Sequence, residues 1–161
     1  MAIEKIIIHC AATQNGVRLA KRGKTAAQII DDWHFDAHFR REINNKIAFN
    51  RHLHAIGYHF VIDTNGMVES GRKIGEIGAH CRGQNRNSIG ICLVGTDRFT
   101  VVQWQALAHI VHTLAKDYPN ATLHGHREFA RKICPGFDVA EWVDNDCQPL
   151  VEHVIMELEH E

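Results

Sequence analysis

The sequence contains no long apolar run and almost no net charge. No stretch approaches the roughly 20 apolar residues of a membrane-spanning helix, and the apolar run within MAIEKIIIHC is far too short for a signal peptide. A formal net charge of −1 gives no global attraction to nucleic acid or to an anionic membrane. We therefore expect no membrane insertion, no nucleic-acid partner, and synthesis in the cytoplasm without a signal peptide.

The cysteines are odd in number and irregularly spaced. The five cysteines stand at positions 10, 81, 92, 134 and 147, unlike the even, regular set of a disulfide framework, and they indicate a reducing compartment. The sequence also lacks HExxH, paired CxxC, Walker A and GxSxG motifs. These absences exclude the common signatures of zinc proteases, zinc ribbons, nucleotide-binding proteins and serine hydrolases.

The length and composition predict one globular domain. A chain of 161 residues with 45% apolar and 23% charged residues is large enough for a sizeable core, and we expect a single domain over residues 1–161. Strands are predicted at Ile3–Cys10, Tyr58–Asp63, Met67–Ser70, Ile89–Val94 and Ala121–His124, the second and third joined by an Asn-Gly turn. Strands alternate with predicted helices, which is typical of an α/β domain.

The helices are predicted from capping residues and from apolar spacing. Three pairs have the spacing of a capping box, namely Thr25 with Gln28, Thr100 with Gln103, and Asp138 with Glu141. Apolar spacing predicts a further helix over Asp36–Ile56 and a helical C-terminal extension, 149–161, that begins at Pro149. We expect Trp33 in the core and Gly71–Ser88, rich in Gly, Asn and Arg, as an exposed loop.

A histidine and a cysteine stand close together in Gly125–Asp138, GHREFARKICPGFD. His126 and Cys134 are borderline-soft ligands that suit zinc. His9 is the candidate third ligand, because it also lies at a predicted strand end, where sites of open α/β sheets collect. Three protein ligands leave a fourth zinc position open for water, the pattern of catalytic sites. The alternative on these residues alone is two histidines that cap helices or lie in the core, and a buried cysteine.

Five motifs occur together in the order found in one enzyme family. They are IIIHCAAT at Ile6–Thr13, the pair Trp33-His34, IGYHFVID at Ile56–Asp63, GAHCRGQNRNSIGICLVG at Gly78–Gly95, and GHREFARKICPGFD at Gly125–Asp138. With them the chain resembles the zinc-dependent N-acetylmuramoyl-L-alanine amidases of the phage-lysozyme and peptidoglycan-recognition-protein type. The resemblance implies a central mixed β-sheet flanked by helices, with a zinc site in a cleft on one face.

The resemblance also implies roles for individual residues. It implies one Zn²⁺ per chain, bound by His9, His126 and Cys134. It implies two catalytic residues: Lys132 would stabilise the oxyanion, and Tyr58 would orient the water or bond to the tetrahedral intermediate. On sequence alone Tyr58 is an ordinary strand aromatic and Lys132 a solvated loop lysine.

Three further residues are candidates for substrate binding. His80 matches a histidine of the family's cleft, and His34 and Asn87 lie within matching motifs. On sequence alone His80 belongs to an exposed loop, and Asn87 only shapes the loop before a strand.

The implied reaction is hydrolysis of the amide bond between N-acetylmuramic acid and L-alanine in peptidoglycan. An endolysin of a phage or prophage fits the expected lack of a signal peptide, because it accumulates in the cytoplasm and reaches the cell wall at lysis. A chromosomal enzyme with an unusual export route is the alternative. We expect peptidoglycan as the partner and no obligate protein partner.

Two other function classes compete with the hydrolase. One is a non-catalytic peptidoglycan-binding module, against which the cysteine at position 134 counts, because such members typically lose that ligand. The other is a nucleic-acid-binding or regulatory protein, against which the neutral charge counts. Relative to shorter phage members, an insertion within 35–56 and the extension from Pro149 are expected to reshape the substrate groove.

Overall fold

Five strands form a mixed sheet at the centre of the computed structural model, which describes residues 2–156. The strands in chain order are β1 (Lys5–Cys10), β2 (Phe60–Ile62), β3 (Val68–Ser70), β4 (Ser88–Leu93), β5 (Phe99–Thr100), β6 (Thr122–Gly125) and β7 (Val154–Ile155). The helices are α1 (Ala26–Asp36), α2 (Ile43–Ala48), α3 (Val101–Asp117) and α4 (Val139–Asp144). The sheet order is β3-β2-β4-β1-β6, and β5 pairs separately with β7.

Strand β1 lies inside the sheet, between two parallel neighbours. It pairs with β4 on one side and β6 on the other, whereas β3 is the antiparallel edge of a hairpin with β2. Its β-branched run is buried on both faces, as expected for a strand covered by helices on both sides. Ile6 and Ile8 contribute to the core that includes α3, whereas His9 emerges on the opposite face. The fold class predicted from the sequence is therefore confirmed.

Helices α1 and α3 both begin at the predicted capping boxes. The Thr25 hydroxyl accepts from the Gln28 backbone N–H, and Thr100 does the same for Gln103. Helix α3 packs Leu107 into the larger apolar core, whereas α1 packs into a second core on the other face. Among residues 2–156, no helix combines the length and the apolar character that crossing a membrane requires.

The long helix predicted over Asp36–Ile56 is wrong. Helix α1 ends at Asp36, and the only later helix of this segment is α2, whose Ile43 and Ile47 are 61% and 58% exposed. The chain winds instead around buried Arg41, which forms an ion pair with Glu76 at 2.8 Å. The Arg41 guanidinium donates to the backbone oxygens of Asn45, Phe49, Asn50 and Leu53. Apolar spacing alone could not reveal this buried cation.

Two other sequence expectations need correction. Trp33, expected in the core, is 41% exposed on α1. The loop Gly71–Ser88 is irregular as expected, but it is not wholly exposed, because Arg72 is buried and donates to the backbone oxygens of Ala55, Ile56 and Ile77. This arginine fastens the loop to the segment that precedes β2.

The helix predicted from Pro149 is also wrong for the described residues. Val151–His153 form a single 3-10 turn, and the β-branched residues Val154 and Ile155 then pair as β7 with β5. The Trp104 indole N–H donates to the backbone oxygen of His153 at 3.0 Å, which anchors this turn on α3. The rest of the predicted extension, including Leu158, lies outside the described residues.

Candidate metal centre and active site

The metal-binding candidates lie where parallel strands end. His9 is the penultimate residue of β1 and is 1% exposed. His126 begins the 3-10 turn that directly follows β6, the neighbour of β1 in the sheet. Because the two strands run parallel, their carboxyl ends bring these histidines together although 117 positions separate them in the chain.

Cys134 reaches the same point from the loop after His126. The Arg127 backbone N–H donates to the Cys134 carbonyl at 2.7 Å and so closes the loop. The Cys10 backbone N–H lies 3.3 Å from the Cys134 Sγ and donates to it. The sulfur is therefore held against the end of β1, beside His9.

The donor atoms of these three residues converge on one point. Nδ1 of His9 lies 3.2 Å from Nδ1 of His126 and 3.9 Å from Sγ of Cys134, and all three donor atoms lie within 4.8 Å of one another. Tetrahedral zinc at ordinary bond lengths separates two nitrogen ligands by about 3.3 Å and a nitrogen from a sulfur by about 3.6 Å. The spacing and the chemistry of the donor set therefore fit zinc.

The protonation states of the three candidates also suit a metal. Burial lowers the pKa of His9 well below its usual value, and burial followed by the charge of Lys132 lowers the pKa of His126. Both imidazoles are thus neutral at pH 7, the form that binds a cation. A hydrogen bond with the Cys10 side chain, together with burial, raises the pKa of the Cys134 thiol. A bound cation would reverse that preference, so metal binding should release a proton.

An open cleft of about 790 Å³ lies beside the three donors. Its walls combine aromatic and polar side chains. The lining residues are His34, Phe39, Tyr58, Ala79, His80, Cys81, Arg82, Asn85, His126, Phe129, Ala130 and Lys132. Of the residues predicted from the sequence, His34, Tyr58, His80, His126 and Lys132 are therefore brought together around one cavity. Its volume is in the range expected for a small-molecule binding site.

Tyr58 and His34 form one side of this cleft. The Tyr58 ring centroid lies 5.1 Å from that of His9 and 5.3 Å from that of His34. Burial raises the pKa of Tyr58 well above its usual value, so the phenol keeps its proton. Burial, with a further contribution from Arg72, lowers the pKa of His34 to about 4. Nδ1 of His34 accepts a hydrogen bond from the Gly57 backbone N–H at 2.8 Å. The proton of the neutral ring therefore lies on Nε2.

Lys132 and Asn87 have contrasting positions. Lys132 is exposed at the rim of the cleft, and its charge acts on both His9 and His126. Asn87 does not line the cleft. It has a left-handed backbone, with φ of 59°, and its carbonyl accepts the Glu4 backbone N–H at 2.7 Å. The structure thus places Asn87 at a turn that leads into β4, as the alternative interpretation of the sequence had it.

Two supporting residues had no clear signal in the sequence. The Asn85 side-chain oxygen accepts the backbone N–H groups of His80 and Cys81 and closes their turn. The Oγ atom of Ser88 lies 3.1 Å from Nε2 of His80. The run GQNRNS indicates a turn, but nothing local in it shows that the turn holds a histidine over the sheet.

Comparison with known proteins places this chain in a wider group. The sequence profile of the family described as N-acetylmuramoyl-L-alanine amidase matches residues 1–137. The endolysin of Escherichia phage T7 is 34% identical over 147 residues, which cover 86% of this chain and 84% of that protein.

Solved structures show the same architecture. The amidase LysC from Clostridium intestinale URNW superposes with a TM-score of 0.64 at 22% identity, covering 91% of this chain and 88% of that one. A variant of Drosophila PGRP-LB in complex with tracheal cytotoxin superposes with a TM-score of 0.64 at 25% identity, covering 96% and 85%.

Proposed function

Because the chain belongs to the N-acetylmuramoyl-L-alanine amidase family, we propose that it is a zinc-dependent hydrolase of bacterial peptidoglycan. The bond cleaved is the amide between N-acetylmuramic acid and L-alanine. The observation that carries this proposal is the convergence of His9, His126 and Cys134 beside an open cleft. Among residues 2–156 this is the one group of three histidine, cysteine or carboxylate side chains with a spacing suited to a metal.

Three protein ligands of this kind are typical of catalytic zinc sites. When bound, zinc supplies a Lewis acid and a water molecule that is nucleophilic at neutral pH. The three residues have complementary roles in holding it. The two neutral imidazoles contribute no charge, and the thiolate of Cys134 offsets part of the charge of the cation.

Lys132 is assigned the stabilisation of negative charge on the substrate. An exposed ammonium at the rim of the cleft remains available until substrate covers it. Its charge then faces the carbonyl oxygen on which negative charge develops during attack on the amide. A donor of this kind, placed in advance, typically contributes about 3 kcal/mol to stabilisation of the transition state.

Tyr58 and His34 are assigned to hydrogen bonding with the water and the substrate. The Tyr58 phenol is protonated at neutral pH and lies beside the Cys92 side chain, and we assign its O–H as a donor to the attacked group. Nδ1 of His34 is occupied by the Gly57 N–H, and Nε2 has no hydrogen-bond partner in the part of the chain described. His34 therefore offers one N–H group to a substrate carbonyl or hydroxyl.

The names of the relatives indicate a biological setting. The endolysins of phages T7 and T3 match this chain over 86% of its length, and other relatives are named as peptidoglycan-recognition proteins. An endolysin that reaches the cell wall from the cytoplasm at lysis is the setting we favour. A peptidoglycan-binding module without catalysis is the competing proposal, and the intact His-His-Cys set counts against it.

Digestion of purified peptidoglycan tests the proposal directly. We expect mass spectrometry to find free stem peptides that begin with L-alanine, and a chelator followed by added zinc should abolish and then restore their release. Lys132→Ala should lower the rate by about 100-fold while zinc stays bound. Lys116→Ala, on the exposed side of α3, is the matched control and should leave the rate unchanged. Cleavage at any other bond, or peptidoglycan binding without release of peptides, would contradict the proposal.

A further inference from the structure

A chain of hydrogen bonds lies behind the His9 ring, on the side away from the other two candidate ligands. Nε2 of His9 lies 2.9 Å from Nδ1 of His80. Nε2 of His80 lies 3.1 Å from the Ser88 hydroxyl oxygen, and this hydroxyl donates to the backbone carbonyl of Asn85 at 3.0 Å. We propose that this relay, defined by His9, His80, Ser88 and the Asn85 carbonyl, sets the tautomer and orientation of His9 for metal binding. His80 is then a positioning residue.

The direction of every bond in the relay follows from its last member. A backbone carbonyl can only accept, so the proton of the Ser88 hydroxyl is directed to Asn85. The Ser88 oxygen must then accept from Nε2–H of His80. A neutral His80 that carries its proton on Nε2 has a lone pair on Nδ1, which accepts from Nε2–H of His9. Nδ1 of His9 is left without a proton, and it is the nitrogen that faces His126 and Cys134.

The opposite direction gives a site that is unsuited to a metal. If the Ser88 hydroxyl donated to His80, the Asn85 carbonyl would lose its donor and His80 would carry its proton on Nδ1. That proton would point at Nε2 of His9, so the His9 proton would move to Nδ1. A protonated nitrogen cannot bind a cation, and the carbonyl at the end of the relay therefore selects the competent state.

The surroundings of His80 are shaped to hold its ring in this position. A Cβ at Gly90 of β4 would lie 2.6 Å from Cγ of His80, so only glycine lets the ring lie directly against the sheet. The Asn85 side chain accepts the His80 backbone N–H at 2.8 Å and fixes the turn from which the ring projects. The ring is thus held from the backbone side, the strand side and the Ser88 side.

This geometry changes the role expected for His80 from the sequence. Both of its ring nitrogens already have partners inside the protein, so neither is free to bind substrate. His34, on the other side of the cleft, keeps its Nε2–H available. We therefore assign substrate contact to His34 and metal-ligand positioning to His80. This assignment depends on the proposed function only in naming zinc as the metal.

Three substitutions at one position test the relay through zinc affinity, measured by competition with a chromophoric chelator. His80→Ala removes the relay and should weaken zinc binding by about 10- to 100-fold. An asparagine can place its amide oxygen where Nδ1 lies, so His80→Asn should stay within about threefold of the wild type. A glutamine places its amide near Nε2 instead, so His80→Gln should behave like His80→Ala. Equal zinc affinity in all four proteins would overturn the proposal.

A direct measurement on the unsubstituted protein keeps the test independent of how the variants fold. Long-range ¹⁵N–¹H spectra of the imidazoles should show His80 protonated at Nε2 and not at Nδ1, in the metal-free protein and with zinc. In the zinc-loaded protein His9 should also carry its proton on Nε2. A His80 proton on Nδ1 would overturn the relay. If the wild type failed to bind zinc, the proposed function would fail, whereas the His80 tautomer would still decide the relay.

Discussion

The two faces of the central sheet are built from the same strands and each has an apolar core, yet one of them also carries a cluster of histidines. On the face that contacts α3, the side chains are apolar and interlock, among them Ile8, Ile91 and Leu107. On the other face, near the carboxyl ends of β1 and β6, His34, His80 and His126 line the cleft, and His9 is buried beside it. We call this region the histidine cleft. The apolar core and the histidine cleft are separated by the alternation of side chains along each strand, because neighbouring residues point to opposite faces of the sheet.

The two regions depend on different kinds of interaction. The α3 face is stabilised by burial of apolar area, which is non-directional and tolerates small changes of shape. The histidine cleft depends on directed hydrogen bonds between buried polar groups, each of which is costly to leave unpaired. Substitutions on the α3 face should therefore change stability and spare the chemistry. Substitutions in the cleft should do the reverse.

The largest effect is expected from loss of a candidate metal ligand. Cys134→Ser should lower zinc affinity by more than about 100-fold, because loss of an outer partner alone costs about 10- to 100-fold. Release of stem peptides should fall with zinc occupancy, whereas unfolding of the metal-free protein in urea should change little. Cys147→Ser, on the opposite side of the molecule beside α3, is the matched control. Full zinc binding by Cys134→Ser would show that the cleft does not depend on this sulfur.

A substitution that creates a cavity on the α3 face should lower stability and leave zinc binding unchanged. Leu107 is completely buried, and Leu107→Ala should lower the free energy of unfolding by about 2–5 kcal/mol. Zinc affinity and the rate of the folded enzyme should match the wild type at a temperature where the variant is folded. Urea unfolding and chelator competition measure the two quantities separately. A parallel loss of zinc affinity would mean that the two faces are mechanically coupled.

Acid should weaken the cleft through its neutral histidines. The pKa of His34 is about 4 in the folded protein and about 6.5 in an unfolded chain, so the unfolded state binds this proton first as the pH falls. The stability that depends on His34 is therefore complete above pH 6.5 and decreases by about 1.4 kcal/mol per pH unit down to about pH 4.

His34→Asn isolates this contribution. Asparagine can still accept the Gly57 N–H but cannot take up a proton, so the free energy of unfolding should fall less steeply between pH 6.5 and 4 than in the wild type. His109→Asn, on the solvent side of α3, is the control and should keep the slope of the wild type. An unchanged slope in His34→Asn would exclude His34 as a source of acid sensitivity.

The smallest effect is expected from a single methyl group on β4. Gly90→Ala would push the His80 ring away from the sheet, and we expect zinc affinity to fall by up to about tenfold. Ile91→Val, the next residue along the strand, faces α3 and should cost about 1 kcal/mol of stability with no change in zinc affinity. Identical behaviour of the two variants would remove the distinction between the faces.

Much of this organisation could be predicted from local sequence signals. The capping boxes at Thr25 and Thr100, the Asn-Gly hairpin and the apolar strands are all present in the structure. The family resemblance inferred from five ordered motifs is confirmed by the match over residues 1–137. Each of these signals depends on residues that are close in the chain or on a pattern shared with relatives.

The failures have a common cause. Apolar spacing predicts a helix over Asp36–Ile56. In the structure, backbone oxygens of this segment instead accept hydrogen bonds from the buried guanidinium of Arg41, which is ion-paired with Glu76. Near the C-terminus, Val154 and Ile155 form a strand instead of a helix because β5 offers an edge to pair with. In both cases a contact with a distant part of the chain overrides the local preference.

The amino-acid sequence by itself supplied the candidate ligands, His9, His126 and Cys134, and indicated that the two histidines lie at strand ends. Only the tertiary structure decided which nitrogen of His9 faces the other ligands, because His80 approaches the opposite nitrogen from 71 positions away. It also decided that both ring nitrogens of His80 have partners inside the protein and that Asn87 lies outside the cleft. The physical reason is that hydrogen-bond direction depends on the partners of each polar group, and strand pairing and loop packing select those partners.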